Sequence, residues 1–278
     1  MSAEKIRESV IAGTWYPAEP ALLKRELTRH LDRARPPALE GVLVGLVVPH
    51  AGYIYSGGVA AWSYKLLMKN RFDRVLILAP SHRTSFGGAS IYNLGGYRTP
   101  LGIVPLDREL IDDLYKNASL IRYNPQADSM EHSLEIQLPF LQIVLDTFRL
   151  TPVVMGTQDP DFCMQLAEAL AEACSGRRVL MIASSDLSHY YPYEKAVLLD
   201  GVCLERLNSL DPEGLAAEVQ NQRTQACGAG PLITMMFAAK KLGADVCKVL
   251  KYANSGDVTG DRSGVVGYAA AALYRSEI

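Results

Sequence analysis

Three unbroken apolar runs dominate the hydrophobic pattern, and a histidine follows each of them within a few residues. The runs predict strands at 42–48, 74–79 and 178–184. They lack the apolar–polar alternation of a half-exposed strand, so we expect each strand to be buried on both faces of a parallel sheet. A fourth run predicts a strand at 148–155.

Apolar residues at helical spacing separate these strands. Leu23, Leu27 and Leu31 are one example, in a helix predicted over 19–35. Strands that alternate with helices predict an α/β fold with a mainly parallel central sheet flanked by helices, a three-layer α/β/α arrangement. The other predicted helices lie at 59–68, 107–115, 132–146 with a bend near Pro139, 159–174, 193–208, 212–221 and 231–241.

The end of the chain predicts a different edge for the sheet. Two last strands, at 245–253 and 264–274, are separated by a short connection, which favours antiparallel pairing. Because no linker is long or polar enough to divide the chain, residues 1–278 are predicted to form a single domain.

Composition narrows the protein class. A hydrophobic fraction of 49%, a charged fraction of 21% and a net charge of -2 are typical of a soluble globular protein and favour neither nucleic acid nor a membrane surface as partner. The five cysteines include no CxxC pair, which favours a reducing compartment over a disulfide framework. With no secretory signal or spanning segment in view, we expect a cytoplasmic protein.

The histidines are the first candidates for chemistry. His50, His82 and His189 each lie near the end of a predicted buried strand. Ligands of open α/β sheets bind outside the carboxyl ends of the strands, so the three imidazoles are expected on one rim. Imidazole is the commonest metal ligand, and a carboxylate or thiolate often completes such a site. The candidates for that position are Asp186, Glu131, Glu135 and Cys227.

Cys227 comes directly before a predicted helix, whose N-terminal end would favour the thiolate. An inert core cysteine is the alternative interpretation. A Cys–His hydrolase is a rival chemistry, with Cys227 as nucleophile, His189 or His50 as base and Asp186 as the residue that orients the base. It ranks below a metal site because it leaves other rim histidines unused.

Two pairs and two aromatic residues extend this candidate site. Asp186 and His189 are three residues apart, which would bring them to one side of a helical turn, and His132 and Glu135 share that spacing. Whether Glu131, His132 or Glu135 belongs to the site is left open. Trp15 and Tyr55 are candidate walls of a substrate pocket. The glycines match neither GxGxxG nor the Walker pattern, so a nucleotide site is not supported.

Seven motifs in collinear order together resemble the Memo family. They are AGTWYP at 12–17, PHAGYIYSG at 49–57, PSH at 80–82, YRTPL at 97–101, EHSLEIQLP at 131–139, SSDLSH at 184–189 and CG at 227–228. The resemblance implies a fold similar to LigB-type class III extradiol dioxygenases, which use non-haem Fe(II). It also implies that His50, His82 and Cys227 bind the metal and that His189 acts as acid or base, beside Asp186.

The resemblance also sets the functional expectations. The resemblance makes iron the first expectation for the metal. Because a cysteine stands where the dioxygenases carry a carboxylate, copper and zinc are alternatives. In prokaryotes the family resembles component B of the AmmeMemoRadiSam system, which implies AMMECR1-like and radical-SAM proteins as partners. We expect metal-dependent redox chemistry on an unknown small molecule or peptide. The alternative is a non-catalytic scaffold that binds peptides or proteins, as in the animal members.

Overall fold

A computed structural model describes residues 5–277 of the chain. Its strands are β1 (Gly41–Val48), β2 (Arg74–Pro80), β3 (Ala89–Ile91), β4 (Gly96–Thr99), β5 (Gly102–Pro105), β6 (Arg149–Met155), β7 (Val179–Ser184), β8 (His189–Tyr191), β9 (Val246–Asn254) and β10 (Val265–Ser276). Its helices are α1 (Pro20–Arg33), α2 (Tyr53–Lys65), α3 (Arg108–Asn117), α4 (Pro125–Ser129), α5 (Leu138–Val144), α6 (Pro160–Cys174), α7 (Tyr193–Asn208), α8 (Pro212–Gln220), α9 (Ala229–Lys241) and α10 (Gly256–Thr259).

A mixed sheet lies at the centre of the molecule, in the order β3-β6-β2-β7-β1-β10-β8, with β9 on the other edge of β10. The central strands β6, β2, β7 and β1 run parallel. Strands β3, β10, β8 and β9 pair antiparallel at the margins. The predicted parallel core and antiparallel last pair are therefore both confirmed.

Helices cover both faces of this sheet, as the α/β prediction requires. Helix α2 packs on β1, β9 and β10 and is backed by α1 and α5. Helix α9 packs on β1, β2 and β7 and is backed by α6 and α8. The continuous apolar runs are explained by this double coverage, since Leu46, Ile77 and Ile182 are fully buried.

Local structure departs from the sequence prediction around the EHSLEIQLP motif. The predicted helix over 132–146 is wrong at its start, because only a 3-10 turn at Glu135–Gln137 and then α5 are helical. Pro139 lies in the first turn of α5, where a missing N–H costs nothing, and so it starts the helix instead of bending it. Residues 131–134 are consequently free to leave helical geometry and face the sheet edge.

Two other elements were misjudged. Helix α2 begins at Tyr53 and not near Val59, so the glycines at 57 and 58 lie inside it. A Cβ on Gly57 would lie 3.0 Å from Nε2 of His30 in α1, which shows that close helix packing requires this glycine. Asp186 and His189 do not share a helical turn, since residues 185–188 are a loop that leads into β8.

The topology brings the chemistry to one edge. His50 follows β1, His82 follows β2, and Asp186 follows β7, and these three strands are parallel neighbours. Their carboxyl ends therefore meet at one rim of the sheet. No helix among the described residues is long and apolar enough to cross a membrane.

Candidate metal centre

A cavity of about 720 Å³ opens at this rim, and four of the five histidines line it: His50, His82, His132 and His189. The ring of His82 lies 5.1 Å from that of His50 and 4.6 Å from that of His132. One ring nitrogen from each of these three residues lies within 4.8 Å of the other two. This group of imidazoles, in which His50 and His132 are buried and His82 is exposed, could hold a metal ion.

Hydrogen bonds decide which nitrogen of His50 is available. The Ser184 hydroxyl donates to the carbonyl of Ser133 at 2.6 Å and accepts from Nε2 of Gln137 at 2.7 Å. The contact at 3.0 Å between Ser184 Oγ and Nδ1 of His50 therefore has the imidazole as donor. Nε2 of His50 keeps its lone pair, and burial holds the pKa of this residue well below its usual range.

Glu131 orients the second histidine. Its carboxylate accepts from Nδ1 of His82 at 2.9 Å and from the His82 backbone N–H at 2.6 Å. Two further backbone N–H groups, of His132 and Ser133, donate to it at 3.0 and 2.9 Å. Although burial opposes ionisation, these hydrogen bonds lower the pKa of Glu131 to about 2. A carboxylate on one imidazole nitrogen is the arrangement that typically directs the other nitrogen to a metal.

His132 completes the group, and the sequence had left its role open. Its ring lies between Trp15, with ring centroids 4.2 Å apart, and His82. Its buried Nδ1 forms no hydrogen bond among the described residues, although Oε1 of Glu131 lies 3.4 Å away. Burial lowers the pKa of His132 to about 4, so this ring is neutral. A buried nitrogen of a neutral imidazole that forms no hydrogen bond fits a metal ligand.

Cys227 reaches the same site from the start of α9. Its Sγ lies 3.0 Å from Nε2 of His50, and its backbone N–H donates to the carbonyl of Asp186 at 3.2 Å. Burial, reinforced by the charge of Asp186, raises the pKa of the thiol. Burial therefore outweighs the N-terminal end of α9, which was expected to favour the thiolate. The sulfur lies outside the group of three imidazoles, and its assignment as a ligand stays a prediction.

Asp186 and His189 flank the imidazole group. The Asp186 carboxylate accepts from the backbone N–H groups of His50 at 2.7 Å and Ala51 at 3.3 Å, and therefore orients the chain rather than the ring. Burial raises its pKa to about 7. His189 donates from Nδ1 to the carbonyl of Leu187 at 2.7 Å, which leaves Nε2 unprotonated, and burial lowers its pKa. Their catalytic roles stay predictions.

Of the remaining candidate residues, two line the cavity and one binds the N-terminal segment of the chain. Trp15 and Tyr55 line the cavity, and the Tyr55 side chain is partly exposed at its mouth. Glu135 does not join the imidazole group, since its buried carboxylate binds residues of the N-terminal segment instead. Thus only the first two residues of the EHSLE motif, Glu131 and His132, reach the site.

The sequence matches a family of known proteins over most of its length. The sequence profile of the family described as Memo-like protein matches residues 7–272. A MEMO1 family protein of Ignicoccus hospitalis is 40% identical over 277 residues, which cover 95% of this chain and 97% of that protein. A MEMO1 family protein of Methanothermobacter thermautotrophicus is 37% identical, with coverages of 95% and 99%.

A solved structure shows the same fold at low sequence identity. The crystal structure of an uncharacterized protein, JW3007 from Escherichia coli K12, superposes with a TM-score of 0.57 and 12% identity, over 82% of this chain and 99% of that one. That likeness concerns the fold alone. The family profile and the relatives cover nearly the whole chain, and their matches agree with the motif resemblance. The chain therefore belongs to the Memo family.

Proposed function

We propose that this protein is a metal-dependent redox protein in which His50, His82 and Cys227 hold a non-haem iron ion. The observation that carries the proposal is the group formed by His50, His82 and His132. Cys227 is proposed as the third ligand because its Sγ lies 3.0 Å from Nε2 of His50, and His132 is a further candidate ligand beside them. Iron bound there would supply one-electron redox and Lewis-acid chemistry. The thiolate also suits copper or zinc, which are the alternative metals.

The protein's own residues prepare the site for such an ion. Ser184 and Glu131 each contact an Nδ1 atom, so that the Nε2 atoms of His50 and His82 are the ones that remain for a metal. His189, fixed through Nδ1, presents its own Nε2 as a group that could take or return a proton at the cavity wall. Trp15 and Tyr55 exclude water from part of the cavity.

Metal analysis of protein purified without oxygen tests the proposal. Wild-type protein should retain close to one iron, copper or zinc per chain, and a His50→Ala/His82→Ala double variant should lose it. His30→Ala is the matched control, because His30 lies in α1 and outside the imidazole group. Equal and negligible metal in the wild type and the double variant, under metal-replete conditions, would show that the proposal is wrong.

A non-catalytic binding module is the second candidate, and the rim of the cavity favours it. Ile54 and Tyr190 are 69% and 79% exposed there, an unusual exposure for large apolar side chains beside a pocket. A peptide or small molecule bound by this rim alone would remain bound after the His50→Ala/His82→Ala substitution. Loss of binding together with loss of metal would favour the redox site instead.

Family resemblance supports a proposal about partners. In this proposal the redox chemistry of the site depends on AMMECR1-like and radical-SAM proteins as partners. Co-expression of tagged wild-type protein with these two proteins from the same genome, followed by affinity purification, tests this. Recovery of neither partner, with the metal present, would contradict it.

A further inference from the structure

Glu135 is a buried acid that the metal site does not use. Its carboxylate, fully shielded from solvent, accepts hydrogen bonds from one short stretch of chain, residues 7–16, which we call the N-terminal strap. The donors are Arg7 Nη1 at 2.7 Å, Ser9 Oγ at 2.6 Å, Tyr16 Oη at 2.7 Å, and the backbone N–H groups of Val10 at 3.0 Å and Ile11 at 3.4 Å. This one carboxylate therefore binds five of the ten residues of the strap.

Arg7 ties the strap to the segment that carries the site. Its Nε donates to the carbonyl of Asp128 at 2.7 Å, and its Nη2 donates to the carbonyl of Glu131 at 2.6 Å. The guanidinium also lies 5.0 Å from the ring centre of Tyr97. Because Glu131 orients His82, the Arg7–Glu135 pair is joined to the imidazole group through one carbonyl.

Trp15 is the part of the strap that touches the site. Its backbone N–H donates to the carbonyl of Ile11 at 3.0 Å, and its backbone carbonyl accepts from the backbone N–H of Tyr53 at 3.0 Å. This places the indole 4.2 Å from the ring of His132. Since Nδ1 of His132 forms no hydrogen bond among the described residues and lies 3.4 Å from Oε1 of Glu131, packing against Trp15 and His82 helps to hold the ring in place.

We propose that Glu135 and Arg7 are positioning residues of the metal site: they hold the N-terminal strap so that Trp15 covers His132 and closes that side of the cavity. A buried ion pair stabilises a fold weakly but defines a geometry, and here that geometry is the position of the indole. The consequence for metal binding rests on the proposed function, whereas the position of Trp15 can be measured without any metal.

The experiment uses the full chain in a Trp62→Phe background, which leaves Trp15 as the one tryptophan. Tyr16→Phe removes one donor to Glu135 without leaving a buried charge unpaired, and Glu135→Gln weakens the whole cluster. Tyr115→Phe is the matched control, because it also removes one tyrosine hydrogen bond, to the carbonyl of Ile91, away from the strap. Two readouts are compared, acrylamide quenching of Trp15 in metal-free protein and the Co(II) affinity from its visible absorption.

Tyr16→Phe and Glu135→Gln should expose Trp15 to acrylamide and lower the Co(II) affinity by about tenfold, the effect typical of a lost supporting contact. Tyr115→Phe should change neither. Trp15→Phe should keep most of the affinity and Trp15→Ala should lose it, because only the former retains a ring against His132. Unchanged Trp15 shielding in Tyr16→Phe would overturn the inference, even where Glu135→Gln fails to fold.

The two proposals fail separately. A wild-type protein that binds no Co(II) contradicts the proposed function, and the acrylamide measurement still decides whether the strap positions Trp15. A wild-type protein that binds Co(II), with equal affinity in Tyr16→Phe, contradicts the link from the strap to the metal site.

Discussion

Cys227 and His50 share one contact that two chemistries would use. The thiol of Cys227 lies 3.0 Å from Nε2 of His50, and that nitrogen is the one left free by Ser184. A metal ligand pair and a Cys–His catalytic dyad both begin from such a contact. Burial raises the pKa of the thiol, which disfavours a nucleophilic thiolate in the absence of an ion.

Replacing the sulfur tests whether Cys227 is a ligand. Cys227→Ser should lower Co(II) affinity at least about tenfold and abolish the sulfur-to-metal charge-transfer absorption in the near ultraviolet, since a hydroxyl is a much poorer ligand for these metals. Cys174→Ala, a buried cysteine at the end of α6, should change neither property. A charge-transfer band that survives in Cys227→Ser would remove Cys227 from the ligand set and leave the three imidazoles.

Histidine placement was predictable for residues that follow strands and not for the others. His50 and His82 were recognised because parallel strands end at a common edge, a rule that sequence patterns can apply. His132 follows no strand, and the non-helical segment 131–134 delivers it. In the sequence, the adjacent pair Glu131-His132 was the one indication that His132 belongs to the site. The contact of Glu131 with His82, which shows this, is visible only in the folded chain.

Helix α9 positions Cys227 through close contact with β7. A Cβ on Gly228 would lie 2.4 Å from the carbonyl oxygen of Ser184 and 2.7 Å from Cβ of Ser185. These atoms belong to backbone and to a short side chain, so they have little freedom to move. The start of α9 can therefore approach the sheet edge only with glycine at this position.

An alanine at position 228 should consequently disturb both the fold and the site. We expect Gly228→Ala to lower the free energy of unfolding by about 1–3 kcal/mol through overpacking. Gly201→Ala, in α7 where an added Cβ meets no atom within 4 Å, should instead stabilise by about 0.5–1 kcal/mol. Denaturant unfolding measures both. A neutral Gly228→Ala variant would contradict the tight packing that brings Cys227 to His50.

At the level of elements, the sequence predicted most strands and helices but misplaced two helix starts. Apolar runs and helical periodicity are local signals, so β1, β2, β6 and β7 were placed within a residue or two. The predicted start of α2 is six residues late, because glycine disfavours a helix interior, whereas Gly57 lies inside this helix at close approach to His30. That close approach comes from packing between helices and is invisible in the local pattern.

Charge burial gives the whole molecule a specific pH dependence. Asp128 is nearly fully buried beside Tyr97, whose hydroxyl donates to it at 2.9 Å. Burial raises its pKa from 3.8 to about 6 in the folded protein, although Tyr97 and Arg7 oppose the shift. Because the folded state holds the proton more tightly than the unfolded state, this residue lowers the stability of the fold as pH rises from about 4 through 6.

Asp128→Asn should remove that dependence. At pH 4 the variant and the wild type should be close in stability, since Asp128 is protonated in the folded state and about half protonated in the unfolded state. Above pH 6 the variant should be more stable by about 2–3 kcal/mol, the value of a two-unit pKa shift. Urea unfolding at pH 4 and pH 7.5 measures the difference. A stability difference that does not change with pH would contradict the shift.

The family match extends over residues 7–272, so the chain as a whole shares its relatives' organisation. That residues 1–278 form a single domain stays a prediction. The structure confirms three predictions made from the sequence, all of which concern the sheet. They are the α/β class, the parallel core and the antiparallel last pair of strands.

The sheet, its buried strands and the common edge that His50, His82 and His189 share could be predicted from the sequence, because they follow from periodicity and from the direction of parallel strands. The partners of each imidazole could be found only from the folded chain. In the structure His132 belongs to the imidazole group, and Glu131 binds Nδ1 of His82. Glu135 binds the N-terminal strap instead. These assignments depend on hydrogen bonds between residues far apart in the chain, which no local pattern encodes.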